Sequence, residues 1–316
     1  VNRPAASRDC VQVTLTILNS RIIANADALS QRFKLGAPFP YVVMDDFFAQ
    51  EFAERLSTEF PAFERGNHVG DNGLPGGKST LEKIRHLGPA YRQLDETIKS
   101  PAFLELLSKI TGIGGLLYDP WYLGGGTHEN HTGMSLDPHV DFNYHPSERW
   151  HRRLNLLVYL NRDWDEHWGG CFELFSDPHA SPQPEVSIPP AFNRCVIFET
   201  SERSWHGFNA IQLPADQTDR SRRSIALYFY TRDRPQDEIA DRHTTLYVKR
   251  QLPEHIAAGR LLDGADVSEL QSLIRQRDDH IRSLYAENTA LRKAQDKGLT
   301  GHLLYLAKRA FVRFRR

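Results

Sequence analysis

Between Gly115 and Thr231 the sequence breaks into short β-type runs, 115–123, 134–141, 153–160, 170–175, 194–199, 205–208 and 223–231, separated by Gly, Pro, Asn and Asp. So many short strands in so little chain predict an all-β sandwich or jelly roll with helices packed outside it. Runs 153–160 and 223–231 are nearly continuous in apolar content on one side, which places them at the centre of a sheet. Ahead of them the texture is helical. Phe48, Phe52, Leu56 and Phe60 recur every four residues, with Asp45 or Asp46 available as a cap, and a second helical region covers roughly 89–110. The Gly-rich stretch 66–80 reads as a loop.

A chain of 316 residues, 40% hydrophobic, can bury one sizeable core and carry a smaller appendage. The organisation expected is mostly helical support over 1–114, a β core over 115–235, a connector over 236–267, a coiled coil over 268–294 and a basic amphipathic tail over 295–316. The coiled coil is read from Leu270, Ile274, Arg277, Ile281, Leu284, Asn288 and Leu291, which alternate spacings of four and three. A lone Asn in such a seam favours a defined two-stranded register, so the segment is either the seam of a parallel homodimer or a surface helix docked on the domain. The tail holds Lys308, Arg309, Arg313, Arg315 and Arg316 among Leu303, Leu304, Leu306, Phe311 and Phe314. It could lie on an anionic membrane surface, pack on a partner or fray.

Lys+Arg number 39 against Asp+Glu 40, a formal net charge of -1, which gives no bulk reason to bind nucleic acid. Cys10, Cys171 and Cys195 are too few and too scattered for a disulfide framework and fit a reducing compartment. The residues around Arg3, Arg8 and Asp9 hold no apolar signal run, so the expected location is cytoplasmic, with the tail as the one candidate contact to a membrane periphery.

The chemistry concentrates in the β region. His139 and Asp141 stand two apart in LDPHVDF, so on a strand both side chains point to one face. An imidazole and a carboxylate aimed at one point, joined by a second His, make the two-His, one-carboxylate facial triad that holds Fe(II) with coordination positions left open. His206, after the strand ending at Glu199, is placed to return beside the first pair. Alternation separates two adjacent arginines: Arg222 shares a face with Ser224 and Ala226, Arg223 with Ile225, Leu227 and Phe229. Small neighbours leave room for a ligand, so Arg222 is chosen to pair with a carboxylate. By the same rule Tyr159 and Asn155 share a face with Arg153; Tyr159 could donate to that carboxylate and Asn155 could line its pocket. His128, His131, His145, His151 and His167 are read as polar surface or supporting groups, with His145 and Arg149 nearer a substrate rim. Gly124–Gly126 reads as a loop over the site.

Taken in order, HVD (139–141), VYLNRDW (158–164), GGCFELF (169–175), SWHGF (204–208) and RRSIALYFY (222–230) resemble the prolyl 4-hydroxylase-type 2-oxoglutarate/Fe(II) dioxygenase family over residues of about 115–232. The resemblance implies a double-stranded β-helix, iron on His139, Asp141 and His206, 2-oxoglutarate anchored by Arg222 and Tyr159, and L-ascorbate as the reductant of oxidised iron. It also implies O2 as co-substrate and hydroxylation of an unactivated C–H bond with release of succinate and CO2. The substrate stays open among protein side chains, glycans and small molecules. One departure is the insertion PADQTDRS (214–221) between His206 and Arg222, read as a longer hairpin loop. The rival readings are a cupin-like metalloenzyme that is not an oxygenase, and an inert oxygenase-fold scaffold serving the coiled coil.

Overall fold

The structure, a computed structural model, describes residues 15–69, 75–250, 252, 253, 255–296, 298, 300, 303, 304, 306, 307 and 310. In chain order its main elements are α1 (Ser20–Ala24), α2 (Ala26–Leu35), β1 (Tyr41–Met44), α3 (Gln50–Thr58), β2 (Asn67–Val69), β3 (Pro75–Leu81), α4 (Pro89–Ile98), α5 (Pro101–Thr111), β4 (Leu117–Tyr118), β5 (Gly126–Asn130), β6 (Leu136–Val140), β7 (His151–Tyr159), β8 (Phe172–Phe175), β9 (Val186–Ile188), β10 (Arg194–Glu199), β11 (Trp205–Phe208), β12 (Arg222–Thr231), β13 (Leu246–Tyr247) and α6 (Gly264–Asp296). Two compact units result, residues up to 66 with 77–248, and 67–76 with 249–316.

The first unit is mainly β, a jelly roll of two antiparallel sheets with helical support. One sheet runs β1-β10-β7-β12-β5-β3, with β4 also on β12; the other runs β13-β6-β11-β8-β9. As expected, β7 and β12 lie at the centre of the larger sheet, in register from Ser224 opposite Tyr159 to Phe229 opposite Leu154. Alternation along the central strands then sorts the side chains. Leu154, Leu156, Val158, Ile225, Leu227 and Phe229 turn outward into one core with Phe33, Phe52, Leu56, Leu94, Phe103 and Leu107 of α2–α5. Tyr159, Val196 and Phe198 turn inward onto Phe172, Leu174 and Ile188 of the smaller sheet. Burial of apolar surface on both faces explains why these runs are apolar throughout rather than alternating.

Several expectations change. The 66–80 stretch holds β2 and β3 instead of being loop throughout; Lys78–Leu81 pairs with Asn130–Thr127, and that pairing, rather than side-chain preference, makes the strand. Only Leu117 and Tyr118 of run 115–123 are strand; the chain then turns where Asp119 accepts from the N–H groups of Trp121 and Leu123. Helix α3 starts after Ala49 without a side-chain cap, because Asp45 pairs with Arg194 and Asp46 sits at φ 52°. The 89–110 region is two helices, broken where Ser100 caps α5 and Pro101 opens it. Residues 236–267, expected as a connector, contribute β13, which pairs with β6. The insertion before Arg222 lies in the loop between β11 and β12.

In the second unit α6 spans 33 residues and covers the predicted coiled-coil segment. Ile274, Ile281, Leu284 and Leu291 of its seam are exposed. Among the described residues no helix is long and apolar enough to cross a membrane. Lys308, Arg309, Arg313, Arg315 and Arg316 of the basic tail, and Arg3, Arg8, Asp9 and Cys10, lie outside the described residues.

Candidate metal centre

The smaller sheet brings His139 and His206 directly opposite each other, on β6 and β11, with ring centroids 4.2 Å apart. The pairing is tight. A Cβ on Gly207 would come within 2.6 Å of the Leu136 carbonyl oxygen, so only glycine lets β11 approach β6 at this point. Asp141 follows the end of β6 and turns its carboxylate toward both rings, with Oδ1 3.8 Å from His139 Nε2 and Oδ2 3.5 Å from His206 Nε2. These separations exceed hydrogen-bond length, as for groups gathered about a shared partner. Among the described residues this is the one group of three His, Cys, Asp or Glu side chains spaced to hold a metal ion, all ligand atoms lying within 4.8 Å of one another.

The ring tautomers follow from the backbone. His139 Nδ1 meets the Asp137 carbonyl at 2.9 Å and His206 Nδ1 meets the Ser204 carbonyl at 2.8 Å. A carbonyl only accepts, so each Nδ1 donates, which leaves Nε2 as the nitrogen each ring can offer a metal. Burial, followed by the neighbouring His139, pushes His206 down to about 3, so it stays neutral. Burial raises the Asp141 carboxyl, but Arg152, His206 and His139 outweigh it and hold the group well below the usual carboxylate range. Two imidazoles that turn Nε2 toward one carboxylate thus form a donor set that fits Fe(II).

Arg222 enters the same interior. On β11, Phe208 lies two residues beyond His206 on the same face, and its ring centroid is 4.3 Å from the Arg222 guanidinium carbon. Arg222 is 4% exposed, donates from Nε to the Gly170 carbonyl at 2.6 Å and reaches Tyr159 Oη at 3.4 Å. Gly170 makes room for it: at φ +69° its Cβ would lie 3.0 Å from Arg222 Cδ. No carboxylate of the described residues pairs with Arg222, and burial lowers its pKa. Arg223, one residue on, points to the other face and pairs with Glu129 at 3.0 Å. Tyr159 is fully buried, its hydroxyl pushed up to about 12 by burial, so it offers a proton rather than a charge.

Asn155 lies at the site: it donates from Nδ2 to Asp141 Oδ2 at 2.7 Å and accepts from Arg152 Nε at 3.0 Å, so it braces the carboxylate. His145, expected at a rim, is fully buried among Trp121, Trp150 and Tyr230, its Nε2 3.6 Å from Asp119. Arg149 is exposed at φ 60°. His131 packs on Phe63, His151 on Tyr144, and exposed His167 pairs with Asp165; His128 meets the Gly124 carbonyl. Of the triglycine, Gly126 opens β5 and Gly124 accepts from Tyr228 Oη at 2.9 Å. Two residues escaped the sequence reading: Arg152, and Tyr247 on β13, whose ring lies 5.1 Å from that of His139.

A jelly roll whose interior holds this triad and, among the described residues, a buried arginine with no acid paired to it offers a donor set that fits Fe(II) and a place that fits an anion. In the comparison with known families, residues 125–230 match the 2OG-Fe(II) oxygenase superfamily, in line with the resemblance read from the sequence. Among solved structures, a prolyl hydroxylase from Trichoplax adhaerens in complex with a hypoxia inducible factor peptide fragment is similar at 16% identity, over 67% of this chain and 93% of that one, with a TM-score of 0.48. A Pseudomonas putida prolyl-4-hydroxylase is similar at 18% identity over 65% and 99%, TM-score 0.44. HygX from Streptomyces hygroscopicus, with nickel, 2-oxoglutarate and hygromycin B bound, is similar at 13% identity over 68% and 95%, TM-score 0.44. No curated protein matches the chain.

Proposed function

We propose that this protein hydroxylates an unactivated C–H bond, with His139, Asp141 and His206 as the Fe(II) ligands and Arg222 and Tyr159 as the anchor of 2-oxoglutarate. The observation that carries the reading is Arg222, a buried guanidinium with no acid of its own among the described residues, facing the interior that the triad faces. Burying a charge without a partner is unfavourable, so such a site is built for an anion that arrives from outside. A dicarboxylic keto acid satisfies both ends: its distal carboxylate takes the Arg222 fork and the Tyr159 hydroxyl, and its keto acid end reaches the metal side.

His139, Asp141 and His206 would hold the ion, which when bound would supply the oxidising chemistry by which O2 and 2-oxoglutarate convert R–H to R–OH with succinate and CO2 as co-products. The chain's own residues hold the triad, orient the co-substrate through Arg222 and exclude water through Phe172, Leu174 and Phe198. Ascorbate belongs to the proposal as the reductant that restores the ferrous state. Anaerobic addition of Fe(II) and then 2-oxoglutarate tests the reading. A visible charge-transfer band in the wild type, absent in His139→Ala and needing more co-substrate in Arg222→Ala, is the expected result. No band in iron-loaded wild type refutes it and favours the cupin-like or scaffold reading. The substrate, whether protein side chain, glycan or small molecule, is found by a mass gain of one oxygen in lysates that His139→Ala abolishes.

Parallel pairing of residues 268–294 is part of the proposal, since the exposed Ile274, Ile281, Leu284 and Leu291 gain burial against a second copy. Light scattering of the full chain is expected to give a dimer mass that Leu284→Asp halves; a monomer at micromolar concentration refutes the pairing. Vesicle flotation with and without residues 295–316 does the same for membrane contact.

A further inference from the structure

Asp141 is gripped on one side. Its Oδ2 accepts from Asn155 at 2.7 Å and lies 3.1 Å from Arg152 Nη2, while Arg152 Nε donates to Asn155 Oδ1 at 3.0 Å. Arg152, Asn155 and Asp141 therefore close a ring of polar contacts. The guanidinium is held flat as well, its carbon 3.6 Å from the Tyr228 ring centroid and 4.4 Å from that of Phe142. Arg152 is 1% exposed. The arginines nearby have acids of their own, Arg153 with Glu199 and Arg234 with Glu238, whereas Asp141 is the acid that Arg152 meets among the described residues.

The strand is deformed to bring this about. Opposite β12, the register of β7 passes from Leu154 facing Phe229 to Arg152 facing Tyr230, so Arg153 is an extra residue. Such a bulge swaps the faces of the residues before it, and it turns Arg152, not Arg153, toward Asn155 and the triad.

We propose that Arg152 is a positioning residue for the metal: it touches neither ion nor co-substrate, and through Oδ2 it fixes how the Asp141 carboxylate is presented. The proposal rests on the metal reading above. Charge alone predicts the opposite of positioning. A cation beside a divalent-ion site repels the ion, so removing a bystander charge tightens metal binding. Removing a partner that orients a ligand loosens it, by about 10- to 100-fold.

The test is titration of the full-length protein with Co(II), followed by its visible absorption, in wild type, Arg152→Gln, Arg152→Lys and Arg153→Gln. Positioning predicts that both Arg152 variants bind at least tenfold more weakly and with a changed spectrum, because Lys keeps the charge and loses the planar fork. Arg153→Gln, which removes an adjacent charge on the other face, is expected to bind as the wild type does. Unchanged or tighter binding in either Arg152 variant overturns the proposal, and so does an equal loss in Arg153→Gln, which would mark a general disturbance of β7. If circular dichroism shows Arg152→Gln unfolded, Arg152→Lys decides alone. Wild type that binds no Co(II) overturns the metal reading itself, a separate outcome.

Discussion

Replacing Arg222 with Met separates the two roles a buried arginine can have. Met is of similar length, apolar and without donors. In the ligand-free protein the exchange removes a desolvated charge, whose burial costs several kcal/mol even after relaxation. It also removes the Nε hydrogen bond to Gly170, and a hydrogen bond from a charged group is worth about 1.5–3 kcal/mol. The two nearly offset, so Arg222→Met is expected to unfold at the wild-type temperature or above it. Co-substrate binding has no such compensation. Breaking a buried ion pair from one side costs about 3–5 kcal/mol, and each 1.4 kcal/mol is about tenfold in affinity, so the dissociation constant of 2-oxoglutarate should rise by about two to three and a half decades. Scanning calorimetry of Mn(II)-loaded protein reads both effects. Wild type gains stability as the ligand rises, about 2.7 kcal/mol at a hundredfold excess over its dissociation constant, while at the same ligand concentration the Met variant gains about 0.4 kcal/mol or less. An equal gain in both proteins would refute the reasoning. A Met variant that melts far below wild type without ligand would show that Arg222 is a structural member and not an anion site in waiting.

Three further outcomes follow from the same interior. Because burial holds His206 at about 3 while an unfolded imidazole titrates near 6.5, protons favour the unfolded chain across that window; stability is present in full above pH 6.5 and falls as pH drops toward 3. Asp141, lowered below its ordinary 3.8, adds its own loss only under that value. Denaturation of metal-free protein should therefore show about 2 kcal/mol less stability at pH 5 than at pH 7.5 from His206, a slope that His206→Gln reduces to the smaller part left by His151, whose pKa burial also lowers; a flat profile in the wild type contradicts it. Gly170→Ala places a methyl 3.0 Å from Arg222 Cδ in a left-handed conformation, so co-substrate affinity should drop and stability fall by about 1–3 kcal/mol; titration and melting that match wild type refute this. Phe198, fully buried and 4.6 Å from the His206 ring, should cost about 3–5 kcal/mol as Ala and weaken metal binding with it. Denaturant unfolding checks the first part and Co(II) titration the second.

Much of the site is legible because its geometry is local. His139 and Asp141 sit two apart, and Arg222 and Arg223 alternate on an unbroken stretch of β12, so parity finds the interior residue. Strands 194–199 and 205–208 are found residue for residue, since their apolar runs are closed by turn formers. What escapes is set by partners distant in sequence. β3, β9 and β13 lie at or near sheet edges and are made strands by what they pair with. His145 looks polar and surface-bound until Trp121, Trp150 and Tyr230 close over it. Parity puts Asn155 on the interior face, but its partner Asp141 approaches from the other sheet, and no strand pattern states which atom meets it.

The extra residue at Arg153 bears on how this chain is set beside its relatives. Arg152 and Arg153 are identical letters in adjacent columns, yet one serves the interior and the other an ion pair on the opposite side. A relative with a regular strand here would carry the interior arginine one place nearer the shared asparagine position, and a gapless comparison would then match each arginine to the wrong counterpart. Removing either arginine codon yields the same protein sequence, in which a regular β7 would carry the surviving arginine opposite Tyr230 on the interior side, leave His151 opposite Thr231, and lose only the outer arginine that pairs with Glu199. The bulge is therefore a place where one residue can be lost without moving the register of the strand against β12, the cost falling on the outer ion pair and not on the interior contact.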